Sequence, residues 1–311
     1  MLNNILTKMT VATFAAGIIA TPQLFAVDAD SSAEEALPEI EQAAKDKVNG
    51  GKITLFGGID AKSAYYSKGL KTEDEGAIIQ PWIGLNINIF DKPETSDFVK
   101  SLDVYGIWWG SIHSNRTDAQ QSPESFYESD YGLGVTAGLQ ANFTVNAEYW
   151  FNSAPNGGWD ESHDLNFKIS YDDADIWDSA GIEFPGFAGL QPYFKTTRRL
   201  KSEAPNGKEF TYFWVGINPT FDFLQSETIP VTFSTPLTIG FGDGDYYSKD
   251  TGNDFGYVDV GIRATMPLDF ISEELGNWSA YAGFNVQYIG DAARADDTWV
   301  PIGSFGLSFS Y

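Results

Sequence analysis

Residues 142–152 read NFTVNAEYWFN, and this stretch decides the fold. Its odd-numbered positions are all apolar or aromatic, and all but one of its even-numbered positions are polar. Successive residues of a β-strand point to opposite faces of the sheet, so such a stretch has one apolar face and one polar face. The pattern therefore predicts a β-strand that separates two different media.

The same alternation recurs from residue 53 to the end of the chain. It is clear at 130–140, 164–172 and 278–288. Weaker copies lie near 53–66, 78–90, 101–113, 190–199, 210–221, 237–242, 255–266 and 301–311. Together with the first stretch these make twelve predicted strands, of which 237–242 is short and rich in glycine. The spacing suits strands of roughly 9–11 residues joined by connections of similar length.

The composition excludes several classes of protein. The chain has 311 residues, with 43 acidic and 19 basic side chains, a formal net charge of -24 and no cysteine. Its 9 Trp, 15 Tyr and 23 Phe argue against a disordered chain, and the excess of acid argues against binding to nucleic acid. Disulfides and thiolate metal sites are excluded, and no apolar run after residue 26 is long enough for a transmembrane helix.

Two all-β architectures fit the alternation. A soluble sandwich would bury the apolar face against a second sheet, whereas a membrane barrel turns that face to lipid. Aromatic residues end several apolar faces, for example Trp278, Tyr288 and Tyr131, as is typical of the two membrane interfaces. The chain also stops on Tyr311 at the end of an amphipathic strand, which resembles the assembly signal of bacterial outer-membrane proteins. We expect an antiparallel transmembrane β-barrel of about twelve strands over 52–311, with a soluble exported sandwich as the alternative.

The first 51 residues differ from the rest. Residues 1–26 are predicted to be a signal peptide, because Lys8 precedes a short apolar run and Ala26 offers a small residue for cleavage. A retained N-terminal anchor is the alternative. Residues 27–51 are predicted to form an acidic periplasmic lead-in. This lead-in is either a short helix that guards the lumen or a solvated tail, and we favour the tail.

The connections are predicted to alternate between the two sides of the membrane. The outer ones lie near 67–75, 114–128, 153–161, 200–209, 243–253 and 290–299. Several are acidic, and we expect their carboxylates to be solvated rather than bridged by cations to lipopolysaccharide. The inner connections near 173–187, 222–236 and 267–276 exceed minimal turns, and 271–275 suits one helical turn. Asp243 lacks the neighbouring ligand spacing of an EF-hand loop, so no calcium site is predicted.

The polar faces of the strands are predicted to line the lumen. Their charged members are Asp60, Lys62, Asp103, Glu148, Lys168, Lys195, Arg199, Asp259 and Arg263. Opposed acidic and basic ladders would set up a transverse field that orients dipolar solutes, or the charges could pair and close the lumen. Twelve strands give a narrow pore, between side-chain-filled and wide barrels. Several inner-face rings could stack on sugars or nucleobases, although packing between strands is favoured: Trp82, Tyr105, Trp109, Trp150, Tyr193 and Tyr281.

Three segments resemble a known family. They read SAYYSKG at 63–69, AIIQP at 77–81 and YGIWWGS at 105–111. They are similar to the TorF-type porins, uncharacterised bacterial outer-membrane barrels whose first strand typically carries S-x-Y-x-x-R-G. Lys68 replaces the arginine, which keeps the charge but loses the planar fork. The resemblance covers mainly 57–113 and the last strand, and it implies an outer-membrane barrel.

The two histidines are the obvious candidates for chemistry. Ser111 and His113 are two residues apart, so their side chains are predicted to point to the same, lumen-facing side of the strand. This pair resembles the Ser and His that outer-membrane phospholipases carry on one strand. Asn115 could orient the imidazole, but nothing in the sequence marks an oxyanion hole. A strand-end histidine without a catalytic role is favoured for His113, and His163 is expected to be solvated. We therefore predict no catalytic residue, no cofactor and no metal site.

The combined prediction is a porin-like channel for passive diffusion of small polar solutes, in the bacterial outer membrane. Its expected partners are outer-membrane lipid, lipopolysaccharide, the solutes themselves and the barrel assembly machinery, which would read the strand ending at Tyr311. No nucleic acid is expected. The alternatives are an outer-membrane enzyme of phospholipase type and a closed structural or adhesive barrel.

Overall fold

The computed structural model describes residues 50–93, 97–182, 186–202, 209–225, 230–243, 246–247, 254–291, 293 and 298–311. The predicted signal peptide and nearly all of the acidic lead-in lie outside the described residues. The described strands are β1 Ile53–Lys62, β2 Tyr65–Ser67, β3 Leu70–Glu73, β4 Ile78–Asp91, β5 Val99–His113, β6 Phe126–Leu139, β7 Phe143–Ser153, β8 Ser162–Tyr171, β9 Tyr193–Ser202, β10 Thr211–Ile217, β11 Thr220–Gln225, β12 Pro230–Ser234, β13 Leu237–Gly242, β14 Phe255–Pro267, β15 Asn277–Ile289 and β16 Trp299–Ser310.

Twelve of these strands close into one antiparallel barrel. The order around the ring is β1, β4 to β10, β13 to β16, and β16 pairs with β1 to close it. Each barrel strand corresponds to one of the twelve predicted segments, including the short β13. The predicted fold class is therefore confirmed, and the soluble sandwich is wrong. In a closed ring every strand edge is paired, which is what a sheet needs when no water can satisfy its backbone.

The outer surface of the barrel is apolar along its whole circumference. Ile59 on β1 is 46% exposed while its neighbour Asp60 is 2% exposed, and the same alternation runs along the other barrel strands. Leu133 on β6 and Phe284 on β15 are 67% and 51% exposed. A soluble monomer rarely exposes a contiguous apolar patch of more than a few hundred Å². A continuous apolar band on a closed barrel is the surface of a protein that spans a membrane.

Aromatic pairs frame this band at both ends of the barrel. At the end where β1 begins and β16 ends, here called the terminal end, Trp278 stacks on Phe309 with ring centroids 5.1 Å apart. At the opposite end, here called the loop end, Tyr288 packs edge-on against Trp299 at 4.9 Å. Aromatic residues at both levels match the girdles that anchor membrane barrels at the interfaces. Trp278 and Tyr288 occupy the predicted positions.

The connections at the terminal end carry additional structure. One contains the short helix α1 Ala174–Ser179. Another contains the hairpin of β11 and β12, in which β12 pairs with the C-terminal part of β14. Glu273–Leu275 forms a 3-10 turn capped by the Ser272 hydroxyl, as predicted for 271–275. Within the described part of the chain, no helix is long and apolar enough to cross a membrane.

Two predicted strands end earlier than the alternation suggests. The segment predicted over 53–66 ends at Lys62 as β1, and residues 65–73 form a separate hairpin of β2 and β3. The segment predicted over 210–221 ends at Ile217, after which Asn218 and Pro219 interrupt the ladder. Proline has no backbone N–H to donate, so it cannot continue a central strand.

Candidate functional site: the barrel interior

The structure places the predicted lumen residues on the inner face of the barrel. Six of the nine charged residues are buried: Asp60, Asp103, Glu148, Lys168, Lys195 and Asp259. Lys62, Arg199 and Arg263 are half-buried. The interior therefore holds both signs of charge inside a wall that is apolar on its other side.

Most of the inner-face rings lie on glycines of a neighbouring strand. Tyr105 is the direct cross-strand partner of Gly134, and Tyr281 is the partner of Gly306. A Cβ atom added to Gly134 or Gly306 would overlap the facing tyrosine ring. Trp82 covers Gly58 in the same way. These rings therefore pack against the barrel wall, which is the interpretation favoured from the sequence.

The basic residues are concentrated on β8 and β9. Lys168 and Lys195 are direct cross-strand partners, so two like charges face each other. The Nζ atom of Lys168 lies 4.9 Å from the ring centre of Tyr193, and that of Lys195 lies 5.1 Å from Trp214. Cations at this distance from an aromatic face are stabilised by the ring quadrupole. The rings thus hold a basic wall in place.

Arg199 continues the basic wall toward the loop end. Its guanidinium donates to both carboxylate oxygens of Asp164, each at 2.7 Å. Asn152 also donates to Asp164, at 3.2 Å. A two-point contact of this kind fixes the orientation of both side chains. The pair adds dipoles to the interior without adding net charge.

The acidic residues lie on other parts of the ring and accept hydrogen bonds from neutral donors. Glu148 on β7 accepts from the Tyr105 hydroxyl, from Trp150 Nε1 at 3.2 Å and from Asn166 Nδ2 at 3.2 Å. Asn146 donates to the Tyr105 oxygen at 2.8 Å. Glu148, Tyr105, Asn146, Trp150 and Asn166 therefore form one hydrogen-bonded network on the inner face of β5, β7 and β8.

Asp60 and Arg263 meet at a tyrosine on the far side of the ring. The Tyr281 hydroxyl donates to Asp60 at 2.7 Å, and the guanidinium carbon of Arg263 lies 3.8 Å from the Tyr281 ring centre. Asp259 accepts from Asn285 at 2.6 Å. The sequence placed these residues on the inner face, but it could not show which of them would meet.

The hairpin of β2 and β3 enters the barrel and reaches two opposite walls. Tyr65 packs 6.0 Å from the Trp109 ring on β5, and its hydroxyl donates to Glu128 at 2.8 Å. Tyr66 packs into a cluster that includes Tyr257 on β14. Both hairpin tyrosines are at most 4% exposed. The hairpin therefore crosses the lumen, and the expectation of a solvated outer connection at 67–75 is wrong for its inward part.

The turn of this hairpin is made by the segment that resembles the TorF-type porins. Lys68 and Gly69 have φ values of +52° and +79°, as the central residues of a type I′ turn require. A Cβ on Gly69 would lie 2.8 Å from the Tyr257 ring. Tyr247 donates to the Lys68 carbonyl at 2.8 Å. The motif is thus part of the lumen hairpin and not of the first strand.

A chain of hydrogen bonds ties the hairpin to the wall. The Thr117 hydroxyl donates to Glu73 Oε2 at 2.6 Å and lies 2.7 Å from His113 Nδ1. His113 Nε2 lies 2.8 Å from Ser111 Oγ. Since Thr117 gives its proton to Glu73, Nδ1 of a neutral imidazole donates to Thr117 and Nε2 accepts from Ser111. Ser111 and His113 are both fully buried.

The acid at the end of this chain is held as a carboxylate. Burial by itself raises the pKa of Glu73. Hydrogen bonds from the Thr117 hydroxyl and from the backbone amides of Glu75 and Asp74 together lower it by more than burial raises it, so the pKa lies below its usual range. Asn115, which the sequence offered as a residue that could orient the imidazole, does not contact it and instead donates to Glu75 at 3.5 Å. Thr117 takes the orienting position instead.

The second histidine lies on the outer face and is not simply solvated. His163 Nδ1 bonds to the Tyr149 hydroxyl, and its ring packs 5.3 Å from that of Phe151. Its side chain is 23% exposed. The expectation of a solvated histidine is therefore wrong, because neighbouring girdle rings cover it.

A cavity of about 290 Å³ lies between the hairpin and the walls formed by β5 to β10. Seven rings line it: Tyr65, Trp109, Tyr127, Trp150, Trp159, Trp214 and Tyr246. Polar side chains from β7 to β9 complete the lining, among them Asn152, Asn166 and Thr197. Among the described residues, no group of three His, Cys, Asp or Glu side chains is placed to hold a metal ion.

Comparisons with known proteins give matches of fold only. No family model matches the sequence, and no curated protein matches it. Solved structures similar to this chain include the KdgM porin in complex with disordered oligogalacturonate (9% identity, 83% of this chain and 99% of that chain, TM-score 0.41). Others are the COG4313 outer membrane channel from Pseudomonas putida F1 (8%, 83% and 94%, 0.45) and the β domain of the Bordetella autotransporter BrkA (13%, 84% and 98%, 0.39). At these identities and TM-scores, nothing those proteins do is carried over to this chain.

Proposed function

We propose that this chain is a narrow outer-membrane channel for passive diffusion of small polar solutes. The observation that carries the proposal is a polar interior with charges of both signs, inside a barrel whose outer face is apolar. Buried charges are costly, and a barrel that only needed to fill its centre would do so with apolar side chains. Charges retained on the inner face are expected where a polar solute passes.

The arrangement of charges supports a path for dipolar solutes. Three of the five basic residues lie on β8 and β9, whereas the acidic residues Asp60 and Asp103 lie on β1 and β5, away from these two strands in the ring. Opposed charges across a narrow lumen give a transverse field, which aligns a dipolar solute, while a ring of one sign would select ions. We expect weak ion selectivity and preference for polar, uncharged solutes.

The β2–β3 hairpin acts in this proposal as the constriction. Its rings span the lumen from Trp109 to Tyr257, so a solute must pass beside Tyr65 and Tyr66. The conductance of the intact protein is therefore expected to be low. Removal of one of these rings should widen the path without touching the barrel ladder.

Planar bilayer recordings test this proposal. Tyr66→Ala should raise the single-channel conductance at least twofold, because the ring lies in the constriction. Tyr131→Ala is the matched control: this tyrosine is 54% exposed on the outer face, so its loss should leave conductance unchanged. Folded wild-type and Tyr66→Ala proteins that both fail to conduct, and fail to swell liposomes with small sugars, would reject the channel.

A lipid hydrolase is the second candidate, since Ser111 and His113 are hydrogen-bonded to each other. Against it, both side chains are fully buried on the inner side, away from lipid, and the imidazole is tied to the hairpin through Thr117. We propose that the pair fastens the hairpin and hydrolyses nothing. Lipid hydrolysis that disappears in Ser111→Ala would overturn this assignment.

Three further expectations belong to the same proposal. The terminal end is proposed to face the periplasm, because β1 begins and β16 ends there and the β2–β3 hairpin enters the barrel from the opposite end. Membership of the TorF-type porins is proposed on the motif at 63–69. Assembly machinery is proposed to read the last strand, and deletion of Tyr311 should then slow insertion of the protein in cells.

A further inference from the structure

Aromatic rings from several strands line the cavity beside the hairpin, together with polar side chains. Trp109, Trp150 and Trp214 come from three different strands, and Trp159 comes from the connection after β7. Rings on several sides offer flat apolar surfaces to a flat or ring-shaped ligand. The 290 Å³ volume is at the lower end of ligand sites, which span about 300–1,000 Å³. It suits one small ring and not an extended chain.

Neutral polar groups are interleaved with these rings. Asn152, Asn166, Ser162 and Thr197 all line the cavity. Amides and hydroxyls both donate and accept hydrogen bonds, so they suit a ligand that carries many hydroxyl groups. Arg199 and Asp164 also line the cavity and are held rigid by their own two-point contact.

The charges around the cavity disfavour a ligand of either sign. Three basic and four acidic side chains line it: Lys68, Lys195, Arg199, Asp118, Glu128, Asp130 and Asp164. An anion would approach carboxylates on one wall, and a cation would approach lysine and arginine on another. Repulsion between like charges works against binding in both cases. A neutral ligand with hydroxyl groups can bond to both walls.

We infer that the cavity binds a neutral, polyhydroxylated ring of the size of one sugar. The inference rests on the proposed channel function and adds the class of solute to it. The aromatic rings receive the apolar face of the sugar, and the amides, hydroxyls and charged walls receive its hydroxyl groups. The hairpin residues Tyr65 and Lys68 form one side of the site, so binding and constriction share a boundary.

Isothermal titration calorimetry of the full detergent-solubilised chain tests the inference, with glucose, glucuronate and glucosamine as probes. Glucose should bind, and the two charged sugars should bind at least tenfold more weakly. Trp159→Ala should weaken glucose binding at least tenfold. Trp177→Ala is the matched control, because Trp177 lies on α1 at the terminal end and should leave binding unchanged.

The inference is overturned if none of the three sugars binds, if a charged sugar binds as tightly as glucose, or if Trp159→Ala binds glucose normally. Conductance measured on the same preparation separates this outcome from failure of the channel. If the protein conducts but does not bind glucose, the sugar site is rejected and the channel proposal stands. If the protein binds glucose but does not conduct, the sugar site stands and the channel proposal is rejected.

Discussion

At the scale of single residues, aromatic rings of the interior cover several of its lysines and glycines. Lys168 and Lys195 face each other across β8 and β9, and like charges directly opposite one another destabilise a sheet. Rings of the next strands lie over both ammonium groups. The basic wall is therefore maintained by Tyr193 and Trp214, and its Lys195 lines the cavity.

The ring-on-glycine contacts make a sharp prediction at Gly134. The Gly134→Ala substitution places a methyl group inside the Tyr105 ring, so the ring must move and lose its bond to Glu148. Overpacking of this kind costs about 1–3 kcal/mol. Gly106→Ala is the control, because its added Cβ meets the nearest side chain at an ordinary 3.4 Å. Urea unfolding in detergent micelles should show a loss for the first variant and little change for the second.

Asp172 gives a pH-dependent prediction outside the membrane-spanning strands. Burial raises the pKa of Asp172, although Ala174 N and Gln191 Nε2 donate to its carboxylate. The folded state then binds the proton more tightly than the unfolded state, so its stability falls as the pH rises through the raised pKa. Asp172→Asn keeps an acceptor oxygen and removes the buried charge.

We therefore expect Asp172→Asn to melt at a higher temperature than the wild type at pH 7. The gain should disappear below the ordinary carboxyl pKa of about 4, where both proteins are neutral at this position. Asp178→Asn is the control, because Asp178 lies in the same connection but is exposed to solvent. An equal gain at both pH values would show that charge is not the cause.

At the scale of secondary-structure elements, the β2–β3 hairpin is held by its contacts and not by the barrel ladder. Thr117→Val removes the hydroxyl that joins Glu73 to His113 while keeping the volume of the side chain. The hairpin should then fluctuate more, which would appear as increased open-channel current noise in bilayers. Thr235→Val, between β12 and β13 at the terminal end, should leave the noise at the wild-type level.

If Thr117→Val and wild type give identical noise while both conduct, the hydrogen-bond chain does not control the hairpin. A fall in conductance without added noise would contradict it as well, since a loosened constriction cannot narrow the path.

The barrel strands could be predicted from the sequence because their signal is local. Even β13, with six residues and two glycines, keeps its alternation because one face meets lipid and the other meets the interior. The hairpin could not be predicted in the same way. Tyr65 and Tyr66 continue the apolar signal of β1, and only their long-range contacts with Trp109 and Tyr257 turn them inward.

The candidate site was predictable as a face but not as a set of contacts. The alternation of polar and apolar residues along each strand predicted that Lys195, Arg199 and Glu148 face the interior, and the structure places them there. The partners of these residues lie on strands that are distant in sequence, such as Asp164 for Arg199. Register decides such pairs, and a single sequence does not fix register between strands that are joined by long connections.

At the scale of the whole molecule, the account depends on an inverted distribution of polarity. A soluble protein places its apolar residues inside, whereas this barrel keeps buried carboxylates and ammonium groups inside and exposes its large aliphatic side chains. That distribution is stable only when hydrocarbon surrounds the barrel. The proposed channel, constriction and sugar site all require a polar interior enclosed by such a wall.

A nitroxide scan of residues 143–151 in proteoliposomes tests this claim most directly. The chain has no cysteine, so single cysteines can be introduced and labelled one at a time without removing any native residue. Collision with oxygen, which concentrates in lipid, should be high at odd-numbered positions such as 145 and low at even-numbered positions such as 146. Odd-numbered positions that collide instead with a water-soluble nickel complex, or that are shielded from both reagents, would contradict the account.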